Sequence, residues 1–172
     1  FLCMPLYSGL DHWYSSDQRN HWFGYWFGHD MFTPPFQGAD GKPLGRFCYN
    51  SGYLEAMKAI VAEQLAYGLA GFHIDMMDQG FGPPYGCWCD TCRAQFEKEF
   101  GHPMPKGATW DDAWDQMLEF RYATSERFEK ALYAHIKSIN PRATVDYNYH
   151  GNPPFSFEVG QRPVQHAGNG DF

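Results

Sequence analysis

The 172-residue chain has no uninterrupted run of about eighteen apolar residues, so no transmembrane helix is expected. Nor does a glycine-rich phosphate loop follow any strand-like segment, which weighs against a nucleotide-binding open sheet. Basic residues are few. Thirteen Lys and Arg against twenty Asp and Glu give a formal charge of −7, and without a concentrated basic surface neither a nucleic acid nor a membrane is expected as partner. Residues Phe1 to Pro5 lack an initiator Met and a basic n-region and do not read as a signal peptide. A chain that opens directly on an apolar stretch is expected to be one piece of a longer polypeptide.

Only five cysteines are present, but four are placed as metal ligands: Cys48, then Cys87, Cys89 and Cys92 in Cys87-Trp88-Cys89-Asp90-Thr91-Cys92. A tetrahedral Zn²⁺ site takes four thiolates, and closely spaced pairs pre-organise part of that shell. Ordinary buried cysteines or a disulfide pair are the alternatives. C-x-C neighbours strain as a disulfide, however, and three cysteines within six residues pair off poorly. The expected cofactor is therefore one structural Zn²⁺, with Cys3 left over as a buried apolar thiol. A reducing cytoplasm preserves thiolate zinc best and is the slightly favoured compartment.

Aromatics are abundant, at 19%. They crowd His21-Trp22-Phe23-Gly24-Tyr25-Trp26-Phe27, with Trp13 and His12 upstream. No helix or strand packing a single face needs rings on every side. Either this is a bulky loop filling a gap in the fold, or it is a ring-lined cleft in which sugar C–H faces stack on aromatic planes.

The order of elements points to an α/β fold. Phe1 to Tyr7 reads as a buried strand, and Leu10 to Asn50 as a long loop without clear period. From Ser51, a plausible N-cap, Leu54, Met57, Ile60, Val61 and Leu65 recur at helical spacing, and Gly68 lies where that helix should stop. Gly71-Phe72-His73-Ile74-Asp75 reads as a buried parallel strand ending in carboxylates. A helix with Cys92, Phe96 and Phe100 on one face should close at Gly101. A long helix should run from a cap at Thr109 to Asn140-Pro141, with a further strand over Ala143 to Tyr149. A complete (β/α)₈ barrel takes about 250 residues, so a single domain holding roughly three consecutive βα units of such a barrel is expected. An open doubly wound sheet is the alternative. Uncovered sheet edges and helix faces would then be met by self-association into a homo-oligomer or by further units of a longer chain.

In barrels of this type the C-terminal ends of the strands form the active-site mouth. Asp75 ends an apolar strand, where a carboxylate needs a reason to be; a helix cap or a structural salt bridge is the plain alternative. Asp78 follows in the loop, Asn148 and His150 close the next strand, and Glu158 is a second carboxylate within reach of that mouth. Such a pair is the minimal equipment for glycoside hydrolysis.

Residues 46 to 100, with Arg46-Phe47-Cys48-Tyr49-Asn50-Ser51, a helix, a strand ending in an acidic cluster and the cysteine knot, resemble glycoside hydrolase family 42 β-galactosidases. That resemblance implies a structural zinc and supports Cys48 as its fourth ligand. Where that family has Asn-Glu at the strand end, this chain has Met76-Met77. The Asp-ending strand, Ser8-Gly9-Leu10-Asp11-His12-Trp13 and the tail Val159 to His166 are more similar to fucosidase-like and uncharacterised glycosidase-like barrels. This second resemblance implies Asp75 as nucleophile, with the acid/base further along the chain: Glu158, or a residue beyond Phe172. The expectation is thus a retaining glycosidase acting on a carbohydrate through Asp75 and Glu158, with His12, Trp13, Trp22, Trp26, Asp78, Asn148 and His150 around the sugar. A non-catalytic carbohydrate-binding or scaffold fragment is the second reading. A metal-dependent hydrolase or oxidase built on His12, His21 and His29, or on His150 and His166, is the third; those histidines lack the usual close ligand spacing.

Overall fold

The computed structural model describes residues 2–5, 38, 40–41, 48–75, 86–106, 112–149, 160–162 and 167–171. Along them run β1 (Leu2–Pro5), α1 (Tyr53–Ala66), β2 (Gly71–Asp75), α2 (Asp90–Phe100), α3 (Asp112–Ile139) and β3 (Thr144–Tyr147). The strands form one sheet in the order β1-β2-β3 with both pairings parallel. Parallel neighbours need crossovers, and the helices lie between the strands in sequence. The expected α/β class is therefore present, in the described order strand, helix, strand, helix, helix, strand.

The helices start and stop for local reasons. Ser51 was the expected N-cap of α1; the cap position falls instead on Gly52. The Ser51 hydroxyl still accepts the Tyr53 N–H at 3.2 Å and donates to the Cys48 carbonyl at 2.6 Å, tying the first helical residue to a cysteine. Gly68 adopts φ +85° just beyond α1, and its N–H closes on the Leu65 carbonyl. Gly101 ends α2 in the left-handed conformation, φ +77°, which a glycine adopts without a Cβ clash. The expected start of the long helix at Thr109 lies outside the described residues.

Burial alternates along β2 and β3. Phe72, Ile74, Val145 and Tyr147 are buried, whereas His73, Thr144 and Asp146 are only partly so. The buried set packs against Tyr53, Met57, Val61 and Leu65 of α1 and Phe128, Leu132 and Ile136 of α3. At the crossing of β2 and β3 the backbones approach closely: a Cβ built on Gly71 would lie 2.6 Å from the Thr144 carbonyl oxygen. The far edge of β3 is covered as well. Val145, whose polar backbone groups face away from β2, donates its N–H to the Asp171 carboxylate and accepts the Asp171 N–H, both at 2.8 Å. Asp171 is held there by Lys137 Nζ at 2.7 Å and by the Tyr133 hydroxyl at 3.1 Å.

A second core sits against the N-terminal half of α3. Trp114, Met117 and Phe120 close over Trp88, Phe96, Met104 and the four cysteines. A single 28-residue helix, about 42 Å long at 1.5 Å per residue, thus backs both cores.

Candidate functional site

Sequence places the four cysteines at three structural positions. Cys48 precedes α1, Gly86 turns the chain with φ +99° into Cys87, and Cys89 and Cys92 occupy the N-cap and first turn of α2. Folding brings them together. All four are free thiols, 0–5% exposed, and their Sγ atoms lie within 4.8 Å of one another. Cys48 Sγ is 3.3 Å from Cys92 Sγ and 3.7 Å from Cys89 Sγ. A disulfide bond is only about 2.05 Å long. Four sulfurs around a tetrahedral ion at about 2.3 Å stand about 3.8 Å apart, close to the spacing found here. The donor set and its geometry therefore fit a soft, four-coordinate metal ion, and the expected grouping of Cys48 with the knot is present.

The electrostatics of the cluster differ from one thiol to the next. Hydrogen bonds from Cys48, Cys87 and Cys92, aided by a backbone hydrogen bond from Cys92, pull the Cys89 thiol far below its ordinary value. Contacts with Cys87 and Cys89, together with burial, push Cys48 far up; contacts with Cys48, Cys87 and Cys89, again with burial, do the same to Cys92. By themselves the crowded sulfurs favour a thiolate at Cys89 and oppose one at Cys48 and Cys92. A cation at their centre would supply the charge that lets all four ionise. Asn50 adds an outer contact, since its Nδ2 donates to Cys92 Sγ at 3.4 Å and to Thr124 Oγ1 on α3 at 3.3 Å. The Trp88 indole N–H donates to the Pro105 carbonyl at 2.6 Å, fixing the loop after α2 over the knot.

The strand ends form a second locus. Asp75 is the last residue of β2 and stands opposite Pro5 of β1. Asn148 follows β3 at the same end, its N–H bonded to the Ile74 carbonyl at 2.8 Å, and is exposed. The parallel sheet thus brings Asp75 and Asn148 to the same end of neighbouring strands. Glu158, Asp78, His12, Trp13, Trp22, Trp26 and His150 lie outside the described residues, as do His21, His29 and His166. Cys3 is in β1 in register with His73.

Two constellations escaped the sequence reading. His73 and Asp146 are register partners on β2 and β3, and their Nδ1 and Oδ2 atoms are 2.7 Å apart. Their only signal in the sequence is polar residues at alternate positions, 73 and 75, then 146 and 148, within otherwise apolar runs. Arg162 is the other. Its guanidinium binds Glu126 through Nε and Nη2 at 2.7 and 2.8 Å, reaches Glu119 through Nη1 at 2.5 Å, and lies over the Tyr122 ring at 4.9 Å. The tail at 160–162 is thereby fastened to α3. No short motif in that tail announces partners about forty residues upstream.

Fold and site together define an α/β protein with a three-stranded parallel sheet and a buried four-cysteine cluster able to hold a metal. No protein-family model matches the chain, and no curated protein does. Among solved structures, α-L-fucosidase isoenzyme 2 from Paenibacillus thiaminolyticus is similar with a TM-score of 0.48 and 21% identity, over 77% of this chain and 18% of that one. The chain thus spans less than a fifth of the length of that enzyme.

Proposed function

We propose that the chain is part of a (β/α)₈-type glycoside hydrolase acting on O-glycosidic bonds, with Asp75 as nucleophile and a structural Zn²⁺ held by Cys48, Cys87, Cys89 and Cys92. The observation that carries the catalytic reading is positional. Asp75 ends the middle strand of an all-parallel sheet, beside Asn148 at the end of the next strand, and in parallel α/β folds the strand C-termini are where ligands bind. The resemblance of the strand and knot to glycosidase-like barrels agrees with this.

In the proposed reaction the Asp75 carboxylate attacks the anomeric carbon as the bond to the leaving oxygen breaks, and Glu158 gives its proton to that oxygen. Glu158 then takes a proton from water, which displaces Asp75 and regenerates both groups. The zinc has no part in these steps. Its role is to tie the start of α1, the knot and α2 into one body, with the carbohydrate bound at the strand ends.

The test is Asp75→Asn, which keeps the shape and removes the attacking charge. Turnover of an activated aryl glycoside should fall by at least about a thousandfold, with fold and metal content intact, and azide should restore part of it. Full activity in Asp75→Asn would sink the assignment. Wild-type protein that hydrolyses no glycoside from a broad panel would favour a non-catalytic scaffold, a reading that rests on the buried cysteine cluster alone.

A further inference from the structure

The sheet has two faces of opposite character. Phe72, Ile74, Val145 and Tyr147 fill the face packed against the helices. The intervening positions, His73 and Asp146, carry the means of forming a hydrogen bond across the strands. A parallel strand covered by apolar layers on both sides is apolar throughout, whereas here the other face carries a polar pair, His73 and Asp146, set opposite each other by register. The two side chains are 38% and 37% exposed while their facing atoms are 2.7 Å apart. The contact is thus short but open to solvent, and exposed ion pairs contribute little stability.

We propose that this pair is a carbohydrate-binding dyad beneath the strand-end site, with His73 Nε2 as the atom that meets a sugar hydroxyl. The inference rests on the glycosidase reading and adds a residue to it. His73 Nδ1 and Asp146 Oδ2 share a hydrogen bond, with the ring N–H donating to the carboxylate oxygen in the proposed arrangement. That contact fixes the ring orientation and leaves Nε2 as the ring nitrogen to meet a sugar hydroxyl. Two residues along each strand are Asp75 and Asn148, in the direction of the edge where the reaction is placed. The strand pairing sets this arrangement: His73 lies opposite Asp146 by register, so one backbone ladder positions both the dyad and the residues at its end. His73 is in this scheme a binding and positioning residue, not a group that exchanges protons with the scissile bond.

The experiment follows the His73 ring nitrogens by ¹⁵N NMR in the full chain while galactose, glucose, mannose, fucose and xylose are added one at a time. The expected result is a saturable shift of Nε2 with at least one sugar, while Nδ1 keeps the signature of its bond to Asp146. His73→Ala should weaken that sugar about two- to tenfold, the worth of one hydrogen bond, and His73→Gln should recover part of the loss. Asp146→Ala should release the ring and weaken binding similarly without altering metal content. If no sugar moves Nε2, or if a sugar binds equally well to His73→Ala, the dyad assignment is overturned even where Asp75→Asn abolishes hydrolysis. If Nε2 responds to a sugar and no glycoside is ever cleaved, the dyad stands and the catalytic reading falls.

Discussion

Around the C-terminal half of α3, Phe128, Leu132 and Ile136 meet the aromatic and aliphatic side chains of α1, β2 and β3. Around its N-terminal half, Trp114, Met117 and Phe120 meet four thiols. Both regions are buried, but they are held by different physics. The sheet-side core gathers large apolar groups whose removal from water stabilises the fold directly. On the other side, the cluster crowds four thiols together, and their contacts and burial push two of them, Cys48 and Cys92, far above the ordinary thiol range. One core should hold together without a ligand, whereas the other should depend on the proposed Zn²⁺. Asn50 links them, touching Cys92 on one side and Thr124 of α3 on the other.

Removing the metal is the severest test of that contrast. Chelation of the purified protein, or Cys89→Ser, should release one zinc per chain by elemental analysis and cost about 5 kcal/mol or more of stability, because binding and folding free energy are the same quantity at such a site. Acid should act in the same direction, since protons compete for the thiolates. An unchanged melting curve after chelation would mean that packing alone holds both cores. Leu132→Ala should cost about 2–5 kcal/mol in denaturant unfolding, the usual range for a buried leucine, with zinc content unaffected. Zinc loss in that variant would show the two regions to be one cooperative unit.

Gly71→Ala probes the sheet side more gently. The added methyl meets the Thr144 carbonyl at 2.6 Å, so β2 and β3 must shift. Overpacking of this kind costs about 1–3 kcal/mol, again measurable by unfolding at constant zinc content. The smallest effect concerns Asp171. Its partial burial would raise the carboxyl, but hydrogen bonds from Lys137, the Val145 N–H and Tyr133 outweigh that and bring it below its ordinary 3.8. A depressed carboxylate contributes stability above its unfolded-state value and loses it as pH falls through the folded-state value. The contribution of Asp171 should therefore be complete at pH 5 and fade below pH 3.8. Asp171→Asn should flatten that part of the acid-unfolding profile, and identical profiles for the two proteins would exclude Asp171 as the edge clamp.

Much of the frame was legible before any coordinates. Helical spacing from Leu54 to Leu65 located α1, Gly101 marked the end of α2, and the branched and aromatic runs near positions 72 and 145 located two strands. These signals are local: a periodicity, a glycine that can take positive φ, a short apolar segment. The cysteine knot was legible for a similar reason, because three of its ligands lie within six residues. The fourth, Cys48, stands 39 positions before Cys87 and was assigned from its surroundings in the sequence. Its arrival at 3.3 Å from Cys92 is a tertiary outcome.

By itself, the sequence determined the class of fold, the order of its elements, the thiol character of the clustered knot and the carboxylate at the end of β2, since each is written in residue type and short-range spacing. Tertiary structure alone decided the parallel register that sets His73 against Asp146, the grip of Glu119 and Glu126 on Arg162, and the closure of the β3 edge by Asp171. These contacts join residues 26 to 73 positions apart. No local propensity encodes such pairings. For His73 and Asp146 the cause is the strand register, fixed as Phe72, Ile74, Val145 and Tyr147 are buried against the helices.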